Sequence, residues 1–454
     1  MLNPYATPQP TAEVEARPTR VRFGVLFFMC TLAMLLYIDR VCIGQAETAI
    51  RAALHLTKQD MSWVYNAFIL SYCLFEVQTG HWGDRFGSRG VIARIVLWWS
   101  AFTALTGLAF GLWPLVITRF LFGAGEAGAF PNVARVVTQW FPAAERGFAR
   151  GAITTTSLVG GAMAPPLAAY FIGLVGWRWT FIIFGSMGVV WAAAFYRWFR
   201  DNPGTHPKVN AAERSHIGVP VAVHEEKEHF AIPWGIVLSS PNVWLLGTIM
   251  VVSATLFYMQ FQWYPTYLKE ARNLSDERAA WFTSIVIIGG ALGAIAGGLL
   301  SDWIIRHTTD RKWSRRFSGG GALFLSAACL WGVRYSEHAV AATLCNAAAL
   351  FFLQVSIPTW WTVVAEISGR HGAAMWGLMN SLGGLGVFSM TFLVGYLVQR
   401  REEMGLSKIE CWRPVFDGVA IALALGAACW LFVDATRSIV ERRGTNAPLD
   451  ERSA

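Results

Sequence analysis

The stretch GHWGDRFGSRG, residues 80–90, indicates how the whole chain is organised. It follows the second long apolar segment, and a weaker copy, GLLSDWIIRH at residues 298–307, follows the eighth. In both copies a glycine precedes an aspartate by four positions. A second correspondence joins ARGAITTTSLVGG in the fifth apolar segment to MWGLMNSLGG in the eleventh. Because the copies occupy matching places, the sequence predicts two duplicated halves.

The composition identifies the class of protein. Of 454 residues, 54% are hydrophobic and only 15% are charged, and soluble domains of ordinary size could not bury so much apolar surface. About twelve stretches have the length that a membrane helix needs. Their approximate spans are 21–43, 61–81, 91–111, 113–137, 148–173, 179–198, 242–268, 281–303, 318–335, 338–362, 374–398 and 413–434. We therefore predict an all-α polytopic membrane protein with twelve transmembrane helices in two pseudo-symmetric six-helix bundles.

The loops predict the orientation and the domain boundaries. The N-terminus lacks the short apolar core and small-residue cleavage site of a signal peptide. Lys and Arg are about twice as frequent in the loops on the side of the two termini as in the loops on the other side, which predicts that both termini are cytoplasmic. The membrane we expect is the plasma membrane of the cell. The expected units are a tail at 1–20, a bundle at 21–199, a polar cytoplasmic linker at 200–240, a second bundle at 241–436 and a tail at 437–454.

Two of the apolar segments, the first and the fourth, carry charged residues that stand out. LLYIDRVCI contains Asp39 and Arg40, and ITRFLFGAGEAGAFPN contains Arg119 and Glu126. A charge at bilayer depth costs about 2.5 kcal/mol or more, so such residues normally face a water-filled cavity and bind or relay something. Buried ion pairs that fix helix packing are the alternative. Arg119 and Glu126 share a helix face roughly 10 Å apart, which is too far for a direct salt bridge.

Several other classes of function find no support. The seven cysteines are odd in number and form no CxxC pair, and no histidines stand at HExxH spacing, so we expect no metal site and no cofactor. The sequence contains no GxxxxGK[ST] pattern for nucleotide binding and no other enzyme site. The net charge of +8 follows from the cytoplasmic loops and does not suggest nucleic-acid binding.

The stretch at 80–90 resembles the loop signature of the major facilitator superfamily, which implies a gating role for its residues. In physical terms, glycines let two helices approach, while Asp84 pairs with a basic residue or a helix end across the interface between the halves and holds one conformation closed. The residues that carry this resemblance are Gly80, Asp84, Arg85, Gly87 and Arg89, with Asp302 in the second half.

Within that superfamily the chain is most similar to the anion:cation symporter family, whose members carry sugar acids and other organic anions. The resemblance covers nearly the whole chain. Its more specific pieces are YIDR at 37–40, RFLFGAGEAGAFPN at 119–132, WFPAAERGFARG at 140–151, GWRWTF at 176–181 and WYPTYL at 263–268.

The resemblance assigns roles to the charged residues. It implies that Arg40 receives the substrate carboxylate, since a guanidinium stays charged and holds a carboxylate by two parallel hydrogen bonds. Glu126 would carry the proton, and Arg119 would stabilise either Glu126 or Asp39 in its ionised form. Tyr37 and Tyr72 match aromatic residues that face the cavity, although ordinary packing could explain either of them.

The apolar segments of the second half contain more amide side chains than charged ones. Amides suit the polar tail of a substrate whose acid group is held by the first half. The family's substrate-binding asparagine corresponds to Asn380, and Ser157 occupies the related place in the first half. A lone amide in a membrane helix can instead tie helices together. The remaining candidates for substrate binding are Gln260, Gln262, Trp360 and Ser381.

We therefore expect a monomeric carrier that imports an organic carboxylate together with protons, with a sugar acid (aldonate, hexuronate or aldarate) as the first substrate class. The halves would rock about a midplane site within the lipid bilayer. The many tryptophans permit an aromatic acid. Uncoupled transport and a membrane sensor that binds the anion without moving it are further alternatives, although a plain exchanger has less need of two membrane carboxylates.

Overall fold

Helices are found on all twelve apolar stretches of the sequence in a computed structural model of the chain, which describes residues 17–142, 144–218, 234–307, 311–368 and 372–434. The first half, residues 17–218, contains α1 (Val21–Leu54), α2 (Lys58–Phe86), α3 (Ser88–Thr106), α4 (Leu112–Glu126), α5 (Ala129–Trp140), α6 (Arg146–Trp198) and α7 (Ala211–Ile217). The second half, residues 234–434, contains α8 (Trp234–Leu238), α9 (Pro241–Gln262), α10 (Tyr264–Glu270), α11 (Asp276–His307), α12 (Arg311–Tyr335), α13 (Ala339–Ser368), α14 (Gly372–Glu403) and α15 (Lys408–Phe432).

Several helices, α1 among them, extend beyond the predicted spans, and the division into helices differs as well. The fourth span is divided between α4 and α5, and the seventh between α9 and α10. The fifth and sixth spans form one continuous element, α6, whose direction changes at Gly176, where φ is 80°. A residue without Cβ adopts this backbone conformation readily, so Gly176 lets two antiparallel helices follow each other almost without a loop.

Seven of the described helices are long and apolar enough to cross a membrane by themselves: α1, α6, α9, α11, α13, α14 and α15. The structure therefore has the composition of a multi-pass membrane protein, while the count of twelve crossings stays a prediction. Large apolar side chains such as Phe27, Leu299 and Leu425 are more than half exposed. Exposing such apolar surface to water would cost free energy, whereas contact with lipid does not.

Exposed tryptophans indicate where the two membrane interfaces lie. We call the end of the molecule that holds the start of α1 and the end of α15 the near end, and the opposite end the far end. Trp63, Trp113, Trp179 and Trp281 lie where helices turn at the far end, and Trp82, Trp244, Trp303 and Trp313 lie at the near end. Tryptophans are enriched at the headgroup level on both sides of a bilayer, so these two groups are consistent with the two interfaces.

The two halves meet along α2 with α14 and α6 with α11. The packing is close: the hydroxyl of Ser284 on α11 donates to the Ala162 carbonyl of α6 at 2.6 Å, and the Asn66 amide on α2 donates to the Phe388 carbonyl of α14 at 3.1 Å. On α1, a Cβ at Gly44 would collide with the Phe261 carbonyl of α9. The space between the halves is thus bounded by α1 and α2 on one side and by α9 and α14 on the other.

An ion network closes the far end. Lys58 on α2 lies 2.7 Å from a carboxylate oxygen of Glu270 and 2.8 Å from one of Glu402, and both acidic residues belong to the second half. Arg51 on α1 also pairs with Glu270, and Lys408 on α15 lies 2.6 Å from Glu402. We call these residues the far-end network. Because its cations and carboxylates come from both halves, it stabilises the closed arrangement of this end.

Part of the polar linker is folded against the first half. α7 lies within this linker, and its Glu213 is fully buried. Its carboxylate accepts hydrogen bonds from the backbone N–H groups of Val21 and Arg22, each at 3.1 Å. These are first-turn N–H groups of α1, which have no partner inside their own helix. The linker thus supplies an N-terminal cap to the first membrane helix.

Candidate functional site

Arg40 and Glu126 form an ion pair between α1 and α4. Arg40 Nε donates to Glu126 Oε1 at 2.9 Å, and a second guanidinium nitrogen contacts the same oxygen. Glu126 is only 1% exposed, and its other oxygen, Oε2, has no hydrogen-bond partner among the described residues. Sequence spacing could not reveal this pair, because the two residues are 86 positions apart on different helices.

The end of α4 places Glu126 at an interruption of the helix. α4 ends at Glu126 and α5 begins at Ala129, with Gly128 between them in close contact with α2. A Cβ at Gly128 would lie 2.7 Å from Thr79 Cβ, and a Cβ at Gly123 would collide with Ser71 on the same neighbouring helix. The glycines therefore allow α2 to pack directly against the segment that holds the carboxylate.

Aromatic rings surround the Arg40 guanidinium. Its central carbon lies 5.1 Å from the ring centroid of Phe68, 5.1 Å from that of Tyr72 and 5.5 Å from that of Tyr37. Such contacts attract a cation to the faces of the rings and restrict its rotamers. The structure thus brings Tyr37 and Tyr72 to Arg40, and Phe68 joins them.

Arg119 is the second buried cation of the site and has open hydrogen-bonding groups. It is 2% exposed and lies between the rings of Phe122 and Phe181, at 5.0 and 5.2 Å from their centroids. Its Nε and one terminal nitrogen have no hydrogen-bond partner among the described residues, and neither does Oδ2 of buried Asp39. Buried polar groups without partners are rare and costly, which points to a ligand or proton position.

Both guanidiniums face the same cavity. Arg40 and Arg119 line it together with Tyr65 and Phe68 of α2 and with Tyr258 and Gln262 of α9. A neighbouring cavity between α2, α9 and α14 is lined by Tyr72, Asn380 and again Tyr258. Tyr258 thus borders both spaces. The two cavities lie side by side between the halves, and both buried cations belong to the first half.

Four of the predicted binding residues have partners elsewhere and line neither cavity. Gln260 and Asn346 exchange hydrogen bonds at 2.7 and 3.2 Å, which ties α9 to α13. Trp360 Nε1 donates to the Leu246 carbonyl at 3.0 Å. Ser157 and Ser381 donate to carbonyls one turn earlier in their own helices. Since these polar groups are satisfied inside one half, a binding role for them stays a prediction.

The signature loop fastens the α2–α3 turn to the end of α6. Gly87 has a φ of 81°, and a Cβ there would lie 2.9 Å from a carboxylate oxygen of Asp201. That carboxylate accepts the Arg89 backbone N–H at 2.9 Å, and the Arg89 side chain donates to the Tyr196 carbonyl at 2.9 Å. These contacts lie within the first half.

The other gating residues are only partly described. Arg85 lies over the ring of Phe86, 5.4 Å from its centroid. Gly80 belongs to α2, but the side chains of Asp84 and Asp302 lie outside the described part of the structure. The expected pairing of Asp84 across the halves therefore stays a prediction.

Sequence reasoning missed two residues at this site. Glu76 on α2 accepts a hydrogen bond from the Asn380 amide on α14 at 2.6 Å, across the interface between the halves. A charge inside an apolar segment is the same signal that singled out Asp39, so Glu76 could have been found by that rule. Tyr258 carries no such signal, because aromatic residues are common in membrane helices.

Comparisons with known proteins identify the relatives of this chain. The family described as Major Facilitator Superfamily matches residues 29–391. A probable sulfoacetate transporter of Cupriavidus necator is 32% identical over 421 residues, which are 91% of this chain and 94% of that protein. The D-galactonate transporter of Escherichia coli is 28% identical over 85% of this chain and 91% of that protein. A probable galactarate/D-glucarate transporter of Bacillus subtilis is 27% identical over 84% and 87%.

Solved structures support the fold. A bacterial homologue of the human lysosomal transporter Spinster, in an inward-facing and unoccupied conformation, matches with a TM-score of 0.76 at 19% identity, over 94% of this chain and all of that chain. A D-xylose-proton symporter matches with a TM-score of 0.69 at 13% identity, over 91% and 98%. At these identities the likeness concerns the fold alone.

Proposed function

The chain belongs to the major facilitator superfamily, and from this premise we propose that it is a proton-coupled symporter that imports a sugar acid of the aldonate, hexuronate or aldarate type. It is a multi-pass membrane transporter rather than an enzyme, and the curated relatives are carriers of small organic anions. The direction of transport, the coupling ion and the sugar-acid substrate are the proposal.

The Arg40–Glu126 pair carries the proposal. In its ionised form Glu126 occupies the guanidinium that would receive the substrate carboxylate. When Glu126 takes up a proton, it loses its charge, and Arg40 becomes available for another carboxylate. Proton and substrate would then enter together, because an anion without the proton meets an occupied arginine. This is coupling through competition for one cation, in which each partner changes the affinity for the other.

Arg119 and Asp39 complete the charge balance. When Arg40 turns to the substrate, Arg119 is the remaining buried cation near Glu126 and Asp39, and its open N–H groups can donate to either carboxylate. Asp39 has an unpartnered oxygen and can bind a proton of its own. We infer that Arg119 stabilises whichever carboxylate is ionised during the return of the empty carrier.

The closed far end agrees with alternating access. With both termini in the cytoplasm, the far-end network would seal the outer side, and release would occur at the near end. Rocking of one half against the other about the midplane cavity would require the cross-half pairs of Lys58 to break. The polar groups of α9 and α14 that line the cavities, Gln262 and Asn380, would contact the hydroxyl-bearing tail of the substrate.

A second substrate class also has specific support. The probable sulfoacetate transporter of Cupriavidus necator is 32% identical to this chain. A guanidinium binds planar or tetrahedral oxyanions through the same paired N–H groups, so a short sulfonated acid could occupy Arg40 and Arg119 as well. This alternative keeps the site and changes only the cargo.

Uptake by purified carrier in proteoliposomes tests the proposal. Labelled D-galactonate, galactarate, a hexuronate, sulfoacetate and an aromatic acid are offered with and without an inside-alkaline pH gradient. We expect accumulation of a sugar acid only when the gradient is imposed. Accumulation of sulfoacetate alone would favour the second class, and equilibration that ignores the gradient would overturn symport. Binding without any transport would favour a sensor.

A further inference from the structure

The contact between Glu76 and Asn380 adds a third polar group to the site, on the side away from the ion pair. Glu76 follows Tyr72 by one turn of α2, so both lie on one face of that helix. Asn380 lines the cavity that Tyr72 and Tyr258 border. Here α2 and α14 are in close contact, since a Cβ at Gly384 would lie 2.6 Å from Cys73 Sγ. Glu76 therefore acts beside the cavity rather than at the lipid surface.

The hydrogen bond fixes what Asn380 presents. Its Nδ2 donates to Glu76 Oε2 at 2.6 Å, so one donor of the amide is consumed and the amide is held in one orientation. The amide oxygen keeps its lone pairs, and an ionised carboxylate offers only acceptors. This corner of the cavity, which we call the acceptor pole and define as Glu76 with Asn380, favours a hydroxyl donor.

Charge distinguishes the two ends of the site. Arg40 and Arg119 both border the cavity nearer the ion pair, where a carboxylate is attracted. Glu76 lies within electrostatic range of Arg40, yet no described cation pairs with it at ion-pair distance. A second negative group on the substrate would approach Glu76 without a cation to offset it, and repulsion between like charges is strong at a partly buried site.

We propose that Glu76 is a specificity-determining residue, which positions Asn380 to bind a terminal hydroxyl and repels a second carboxylate, so that the carrier prefers monoanionic sugar acids to dianionic ones. This inference rests on the proposed sugar-acid function and narrows its substrate class. Glu76 acts in part through Asn380, and the same hydrogen bond could simply hold α2 and α14 together. The experiment must therefore separate a role in substrate specificity from a purely structural role.

D-Galactonate and galactarate form the matched pair of substrates. They share one carbon skeleton and differ only at one end, which is a hydroxymethyl group in the first and a carboxylate in the second. Initial uptake of each is measured in proteoliposomes under the same pH gradient. We expect the wild-type protein to prefer D-galactonate, and Glu76→Gln to reduce that preference roughly tenfold, the effect of removing one repulsion between charges. Glu277→Gln, at an exposed glutamate of α11, is the control.

A second variant separates positioning from structure. Asn380→Ala keeps the Glu76 charge but removes the amide that would bind the terminal hydroxyl of the substrate. D-Galactonate uptake should therefore fall at least fivefold, while galactarate stays excluded by the charge. The inference is overturned if wild-type protein carries both acids equally, or if an active Glu76→Gln protein keeps the full preference. If Glu76→Gln does not fold, Asn380→Ala provides the test. The inference is then overturned if this variant takes up galactarate as fast as D-galactonate. Wild-type protein that carries neither of these acids and no hexuronate would instead overturn the sugar-acid proposal itself.

Discussion

At the scale of single residues, Arg40 serves two partners. The structure pairs it with Glu126, and the proposal gives it to the substrate carboxylate when Glu126 is protonated. A buried cation that loses its partner is costly, so removing either residue alone leaves an uncompensated charge worth about 3–5 kcal/mol. Stability and binding must therefore be separated when Arg40 is tested.

Arg40→Ala should abolish substrate binding and also destabilise the protein, because Glu126 then stays buried without its cation. The double variant Arg40→Ala/Glu126→Gln removes both charges and should regain most of the stability without regaining binding. Arg40→Lys keeps the charge but loses the paired N–H groups, and its affinity should fall roughly tenfold or more. Thermal unfolding and ligand titration in detergent measure both quantities. Normal affinity in Arg40→Ala would mean that the carboxylate binds elsewhere.

Single residues also show how much of the site can be predicted from the sequence. Arg40, Arg119 and Glu126 stand out because a charge in an apolar segment is expensive wherever it lies. The pairing of Arg40 with Glu126 cannot be predicted from the sequence, since the two are 86 residues apart and the pair depends on how α1 and α4 are packed. Gln260 shows the opposite limit: its amide is as conspicuous in the sequence as that of Asn380, yet it bonds Asn346 instead of facing a cavity.

At the scale of elements, the linker holds the start of α1 through Glu213. Glu213→Ala would leave the N–H groups of Val21 and Arg22 without an acceptor and should lower the free energy of unfolding by about 1–3 kcal/mol. Arg214→Ala, on the exposed side of the same short helix, is the control and should change stability little. Thermal unfolding in detergent compares the two. Equal effects of both variants would show that the cap contributes nothing of its own.

The linker also predicts a pH dependence. Burial lowers the pKa of His206 below its ordinary value of 6.5, where its ring lies against Trp198 and Trp140 at 5.0 and 5.7 Å between centroids. The undocked segment then binds more protons than the docked one, so docking is strongest above pH 6.5 and weakens as the pH falls below it. Hydrogen exchange of residues 203–210 should therefore accelerate between pH 7.5 and 5.5, after correction for intrinsic rates.

His206→Phe keeps a ring between the two tryptophans and removes the titrating group, so the acceleration should disappear in that variant. If the wild-type segment exchanges equally at both pH values, or if His206→Phe keeps the full dependence, His206 does not control the docking. The sequence cannot predict the burial of Glu213 or His206, because both depend on contact with α1, α5 and α6.

At the scale of the whole molecule, the far-end network decides how strongly one end is closed. Lys58 is 3% exposed at its side chain and reaches Glu270 and Glu402 of the other half. Replacing Glu402 by Gln should weaken the closed arrangement by about 1 kcal/mol and shift molecules toward opening of the far end. Hydrogen exchange should then become faster at the α1–α2 and α14–α15 turns.

Glu403→Gln is the matched control, because Glu403 is half exposed and its contacts among the described residues, an ion pair with Arg400 and a hydrogen bond from Gln399, stay within its own helix. Equal exchange in the two variants would show that the network does not hold the far end closed. The duplicated signature loop and the polar linker predict two halves, and helices are found on all twelve predicted spans. The network was not predictable, because Lys58 and Glu402 are 344 residues apart in sequence.

The central claim is that substrate and proton enter together because both compete for the Arg40–Glu126 pair. The most direct test records the pH of a weakly buffered suspension of proteoliposomes when the transported acid is added, for wild-type protein and for Glu126→Gln. The account predicts that the medium becomes alkaline with wild-type protein, and that Glu126→Gln moves no protons and accumulates no substrate while exchange of labelled for unlabelled acid survives. Uptake by wild-type protein without proton movement, or accumulation by Glu126→Gln, would contradict it.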